Sequence, residues 1–188
     1  MKAALFSFFL CSILLLGACA PAGGAASVET ASMPSLPEIP FSSPAFAPGG
    51  TIPAQYTCSG SGISPPLTWG EPPAGTQAFA LTLADPDAPS GTFIHWVIYN
   101  IPAASRGLAE AVAPGAQLAD GSLQGLNSAR QLGYMSPCPP SGTHHYVFDL
   151  YALDAALSLG SGVGRDELFS ALQGHILAKA ELVGIYGR

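Results

Sequence analysis

ADPDAPSGTFIHWVIYNIP, residues 84–102, sets two carboxylates, Asp85 and Asp87, three prolines and one imidazole, His95, against an apolar run. A second stretch, YMSPCPPSGTHHYVFDLYALD at residues 134–154, repeats the design. It has a Pro/Gly loop, then His144, His145 and Tyr146, then an apolar run. Two rigid loops feeding two strands, each with imidazole at the strand start, imply one shared pocket. Proline and glycine punctuate the chain around them every eight to twelve residues through about residue 140, as in Pro48-Gly49-Gly50, Pro65-Pro66, Pro72-Pro73 and Pro114-Gly115. The runs between are short and rich in β-branched and aromatic residues, the pattern of an all-β domain.

Residues 78–83, AFALTL, are almost wholly apolar and read as a central strand covered on both faces. Residues 93–101 and 146–153 read alike. Residues 115–131 show little periodicity and read as a long surface loop. Helical spacing appears only after Gly164, and it predicts two short C-terminal helices, at 165–172 and 175–185, separated by Gly174. Asp166 and Glu167 suit the first turn of the former.

The N-terminus has a different character. Lys2 precedes a 14-residue apolar run, residues 3–16, too short to span a bilayer comfortably and typical of a secretory signal. It ends Leu16-Gly17-Ala18-Cys19. Small residues followed by cysteine resemble a bacterial lipobox, in which Cys19 becomes the acylated N-terminus. The alternative is an ordinary signal peptide with an incidental cysteine. Residues 20–40 are rich in Ala, Gly, Ser and Pro without helical or strand period, and cannot bury enough apolar area to offset ordering. The expected organisation is a signal peptide at 1–18, a flexible tether at 19–40 and a folded domain at 41–188, exported and lipid-anchored to a membrane of the bacterial cell envelope.

Of the 188 residues, 10% are charged, against roughly 25% in a typical domain. Of the six cations, Lys2 leaves with the signal, so five remain against 12 acidic residues, a formal charge of −7. That excludes nucleic acid as a partner, which needs basic patches. Any anion must be held by a local site.

Strand alternation locates such a site. His95 shares a face with Phe93, Val97 and Tyr99; His144 shares one with Tyr146, Phe148 and Leu150, while His145 looks the other way. If both strands belong to one sheet, His95, His144 and Tyr146 converge at one end, next to Asp85 and Asp87. Imidazole N–H and tyrosine O–H donors oriented by carboxylates suit a small oxyanion, and the carboxylates favour protonated imidazole. Plainer alternatives stay open. DPDAP could be only a turn. The Asp and His residues could bind a metal, although zinc spacings are absent, so no metal is expected. A Ser/His/Asp hydrolase would have to use Ser90 or Ser141, since no G-x-S-x-G elbow exists. His175 reads as a satisfied structural histidine.

The motifs resemble the phosphatidylethanolamine-binding protein family, in its bacterial Raf-kinase-inhibitor-like branch, over about residues 41–188. The carriers include Tyr56-Thr57-Cys58, Ser64-Pro65-Pro66-Leu67, Asp85-Pro86-Asp87-Ala88-Pro89, His95-Trp96-Val97, Pro137-Cys138-Pro139-Pro140, Gly142-Thr143-His144 and Gly184-Ile185-Tyr186-Gly187-Arg188. The resemblance implies a mainly β fold of two packed antiparallel sheets with helices at the C-terminus. It implies a small anion pocket for phosphoryl groups and phospholipid headgroups, formed here by Asp85, Asp87, Pro89, His95, Cys138, Pro140, Gly142, His144 and Tyr146, without cofactor. Two departures are Ser136, where glycine is frequent, and His145, where arginine often follows the motif histidine. With Cys11 lost and Cys19 acylated, Cys58 and Cys138 remain as one disulfide pair or two free thiols. Three functions compete: a ligand-binding lipoprotein, a protein-interaction module acting as a protease inhibitor, and a hydrolase of phosphorylated or acylated compounds.

Overall fold

The computed structural model describes residues 36–188; the signal, Cys11, Cys19 and most of the tether lie outside them. The domain is mainly β. Strands β1 (Phe41–Ser42), β2 (Leu67–Trp69) and β5 (Gly107–Leu108) form a small antiparallel sheet of order β1-β2-β5. Strands β3 (Ala78–Asp85), β4 (Phe93–Pro102), β6 (Leu123–Gln124), β7 (Thr143–Leu153) and β8 (Ile176–Gly187) form a larger one of order β6-β4-β3-β7-β8. β3 is its centre, paired on both sides and buried on both faces, as its continuous apolar run requires.

The two faces of β3 serve two cores. Phe79, Leu81 and Leu83 join Trp96, Phe148 and Leu150 in the core against the small sheet, where Trp69 meets Phe79 with ring centroids 5.4 Å apart. Ala80 points to the other core, with Val97, Tyr99, Tyr151 and Leu153, under the helix α1 (Arg165–Leu172), which contributes Leu168 and Leu172.

The second expected helix is a strand. β8 pairs with β7 from Gly187 at Thr143 to Ile176 at Leu153. Ala, Lys, Leu and Glu favour helix in isolation, but Ala178, Ala180, Leu182, Gly184 and Tyr186 are the buried set, a period of two. Covering the long edge of β7 outweighs local propensity. Gly184 sits where a Cβ would lie 2.6 Å from Ile52 and 2.8 Å from Phe46, so the strand can pack there only without a side chain.

Two further boundaries shift. Glu38 bridges Lys179, Ile39 is buried in the core and the Pro40 carbonyl accepts the Gly70 N–H, so the fold begins slightly before residue 41. The expected surface loop at 115–131 carries β6 and buries Gln124, whose amide donates to the Ala113 and Gly115 carbonyls and accepts from Trp96 Nε1 at 2.8 Å.

Candidate functional site

β4 and β7 flank β3, so the starts of β4 and β7 meet the end of β3 at one edge of the large sheet. His95 reaches this edge through a β-bulge. Leu83 pairs with Trp96 while Ala84 pairs with Ile94, leaving His95 as the extra residue. The bulge breaks the regular alternation read from the sequence. Val97 and Tyr99 lie in the core beneath the helix, whereas His95 packs against Tyr146, a member of the other core. β7 alternates without interruption, and His144, Tyr146, Phe148 and Leu150 share a face as expected.

Asp85 ends β3 and is 4% exposed. Its Oδ2 accepts the Nδ1–H of His144 at 2.7 Å and its Oδ1 accepts the Asp87 N–H at 2.9 Å. The first bond ties β3 to β7, the second closes the turn that opens the DPDAP loop. His95 Nδ1–H donates to the Met135 carbonyl at 2.9 Å, and the Met135 N–H returns a bond to the His95 carbonyl at 2.8 Å. That pair holds the 134–142 loop against β4. The His95 ring lies between Phe93, at 4.9 Å, and Tyr146, at 5.3 Å and edge-on.

These groups surround a cavity of about 200 Å³. Asp85, His95 and His144 form its polar wall; Ala88, Pro89, Phe93, Met135, Ser136, Cys138, Pro139 and Pro140 complete it. Both imidazoles engage Nδ1 elsewhere and have Nε2 left for a ligand. Cys138 is disulfide-bonded to Cys58, and Arg188 Nη1 lies 3.3 Å from its sulfur. Six of the nine residues assigned to the site from sequence wall this cavity: Asp85, Pro89, His95, Cys138, Pro140 and His144.

The other three sit beside it. The Asp87 carboxylate turns outward, where its Oδ2 accepts the His145 N–H at 2.7 Å and the His145 Nδ1–H at 2.8 Å. The His145 backbone donor, then its ring, hold the Asp87 carboxyl below its ordinary range. Gly142 has φ of 71° with open space around its Cα, so its role is a left-handed turn leading into β7. Tyr146 is fully buried and its hydroxyl has no hydrogen-bond partner. Burial, then Asp85, raises its pKa, a weak contact with the Cys138 backbone opposes this, and the group remains an O–H.

Met135, Phe93 and Ser136 are wall residues that strand reasoning left unassigned; their signal was adjacency, in the same two stretches, to the assigned residues. Other clefts among the described residues, of about 570, 610 and 230 Å³, lie elsewhere. Arg130, Arg165, Asp166 and Glu167 line the first, and none of these clefts has an imidazole in its wall. The 200 Å³ cavity is the one walled by two imidazoles and a carboxylate.

The electrostatics differ from the expectation at one point. Burial lowers the His95 pKa, and it outweighs the Met135 carbonyl and Asp85, which act to raise it; His144 acts in the same direction as burial. His95 therefore favours the neutral ring, not the protonated one that the neighbouring carboxylates alone would favour.

A model of the family described as phosphatidylethanolamine-binding protein matches residues 42–187. A UPF0098 protein of Methanothermobacter thermautotrophicus is 50% identical over 144 residues, covering 77% of this chain and 95% of its own length. A Mycobacterium tuberculosis protein named as a candidate lipoprotein, LppC, is 36% identical over 191 residues, covering 94% of this chain and 92% of its own. Among solved structures, the phosphatidylethanolamine-binding protein homologue CT736 of Chlamydia trachomatis superposes with a TM-score of 0.75 at 41% identity, over 80% of this chain and 98% of that one. Escherichia coli YbcL gives 0.74 at 31% identity, over 81% and 99%.

Proposed function

The chain belongs to the phosphatidylethanolamine-binding protein family, and from that premise we propose that it is an envelope-anchored binding protein whose cavity takes a small anion: phosphate, a phosphomonoester or a phospholipid headgroup. The observation that carries this reading is the buried Asp85–His144 pair on the wall of a small, mostly apolar cavity. Asp85 orients the ring through Nδ1, and Nε2, a donor in an imidazolium, faces a site of low dielectric. There a charge-assisted hydrogen bond outweighs the protein's diffuse negative charge. Pro89, Pro139 and Pro140 stiffen the wall, which limits the entropy lost on binding. The hydrolase reading is weaker, because its expected nucleophiles, Ser90 and Ser141, do not line the cavity. Anchoring through an acylated Cys19 is supported by the LppC relative, whose match extends over 94% of this chain.

Calorimetric titration of the detergent-solubilised full chain with inorganic phosphate tests the binding role. We expect one site, and we expect His144→Ala to lose about 1.5–3 kcal/mol, or roughly ten- to 150-fold in affinity. No saturable heat from the wild type refutes the reading. Cys19→Ser should release the protein from membranes; mass spectrometry showing an unacylated N-terminus downstream of Cys19 in the wild type refutes the anchor.

A further inference from the structure

The polar wall of the cavity is asymmetric. His144 directs its Nδ1–H at a carboxylate, Asp85. His95 directs Nδ1 at the Met135 main-chain carbonyl, a group that can only accept. Nδ1 must therefore carry hydrogen, and Nε2 of the neutral ring has a lone pair. The surroundings favour that neutral ring. His95 is 5% exposed and lies between the rings of Phe93 and Tyr146. The titratable groups around it are Asp85, His144 and Tyr146. Asp85 already engages both oxygens, with the His144 ring and the Asp87 N–H. Tyr146 stays a neutral O–H, and burial dominates over Asp85 at His95 itself. At His95 the site thus offers a ligand an acceptor, where sequence alone suggests donors throughout.

We propose that His95 is the specificity-determining residue of the cavity, accepting a hydrogen bond from the ligand, so that the site takes oxyacids retaining one proton over those without one. Hydrogen phosphate and hydrogen phosphomonoesters qualify. Sulfate and phosphodiesters lacking a donor group do not. The inference rests on the anion-site reading above and adds the protonation state of the ligand. A phosphomonoester's second ionisation lies near pH 6, so its protonated form is readily available close to neutrality. An oxygen without hydrogen would face the Nε2 lone pair directly, leaving a buried acceptor unsatisfied opposite a like partial charge. Discrimination of this kind is large, because the wrong ligand is rejected and not merely less attracted.

Calorimetry at pH 6.5 with the full chain and three probes decides it. Sulfate matches phosphate in size, and dimethyl phosphate matches the charge of the monoanion; neither has a proton to donate. The expected result is phosphate binding at least tenfold tighter than either. In His95→Gln, whose side-chain amide can donate, the phosphate-to-sulfate ratio should fall towards one through a gain in sulfate affinity. A second readout does not depend on the variant folding: in ¹⁵N imidazole spectra of the wild-type phosphate complex, His95 should keep hydrogen on Nδ1 and none covalently bound on Nε2. Equal wild-type affinities for phosphate and sulfate, an unchanged ratio in folded His95→Gln, or a protonated His95 Nε2 in the complex would overturn the inference alone. Absence of any phosphate binding overturns the anion-site reading and this inference with it.

Discussion

Replacing Asp85 by Asn tests whether the Asp85–His144 pair holds the edge of the sheet together. The side chains are 6% and 9% exposed, so water screens the interaction little. Asn keeps the shape but has one acceptor oxygen in place of two. It can accept the His144 Nδ1–H or the Asp87 N–H, and its NH₂ group then opposes the other donor. One hydrogen bond to a charged group is lost, worth about 1.5–3 kcal/mol. For a domain of this size that range corresponds to a fall in Tm of roughly 3–12 °C. The assay is a double-mutant cycle with Asp85→Asn, His144→Asn and both together, followed by urea unfolding at constant pH. Coupling of at least about 1.5 kcal/mol is expected, since the two groups share one bond at 2.7 Å. Additive losses within about 0.5 kcal/mol, or an unaltered Asp85→Asn protein, would refute the account.

Stability should fall with pH through His95. Its folded pKa is depressed, so the unfolded chain binds a proton first as pH drops below about 6.5; the stability present above that value is lost as pH falls through the folded pKa. His95→Gln should flatten the urea midpoint against pH between about 7 and 5, and a slope as steep as wild type would contradict the burial argument. Removing the Cys58–Cys138 bridge, which spans 80 residues, as Cys58→Ala with Cys138→Ala, should cost about 4.5 kcal/mol in the chain-entropy model. A denaturant midpoint matching the oxidised wild type would show that the unfolded chain is already constrained.

Much of the architecture was legible because apolar alternation and Pro/Gly punctuation are local signals. The continuous run at 78–83 announced a strand buried on both faces, and β3 is the centre of the large sheet. Two polar stretches feeding two strands announced a shared pocket, and His95, His144 and Asp85 do share a cavity wall. The C-terminal strand reads as helix from sequence because propensity is a property of the segment, whereas the need to cover β7 belongs to the partner. Alternation along β4 breaks at His95 for a related reason: a bulge is an agreement between two strands, and β4 alone carries no mark of it.

The sequence by itself determined the residue types at the site and the acidic balance that forces any anion into a local pocket; that Cys58 and Cys138 are bonded, and not two free thiols, is seen only in the fold. Only the tertiary structure decided what those residues present to a ligand. Asp85 turns inward to His144 while Asp87, two positions on, turns out to His145. The imidazoles have opposite second partners, a carboxylate for His144 and a carbonyl for His95, and those partners come from segments 59 and 40 residues away. A ring nitrogen is a donor or an acceptor according to what faces the other nitrogen and how far water is excluded, and both conditions exist only once the strands have packed.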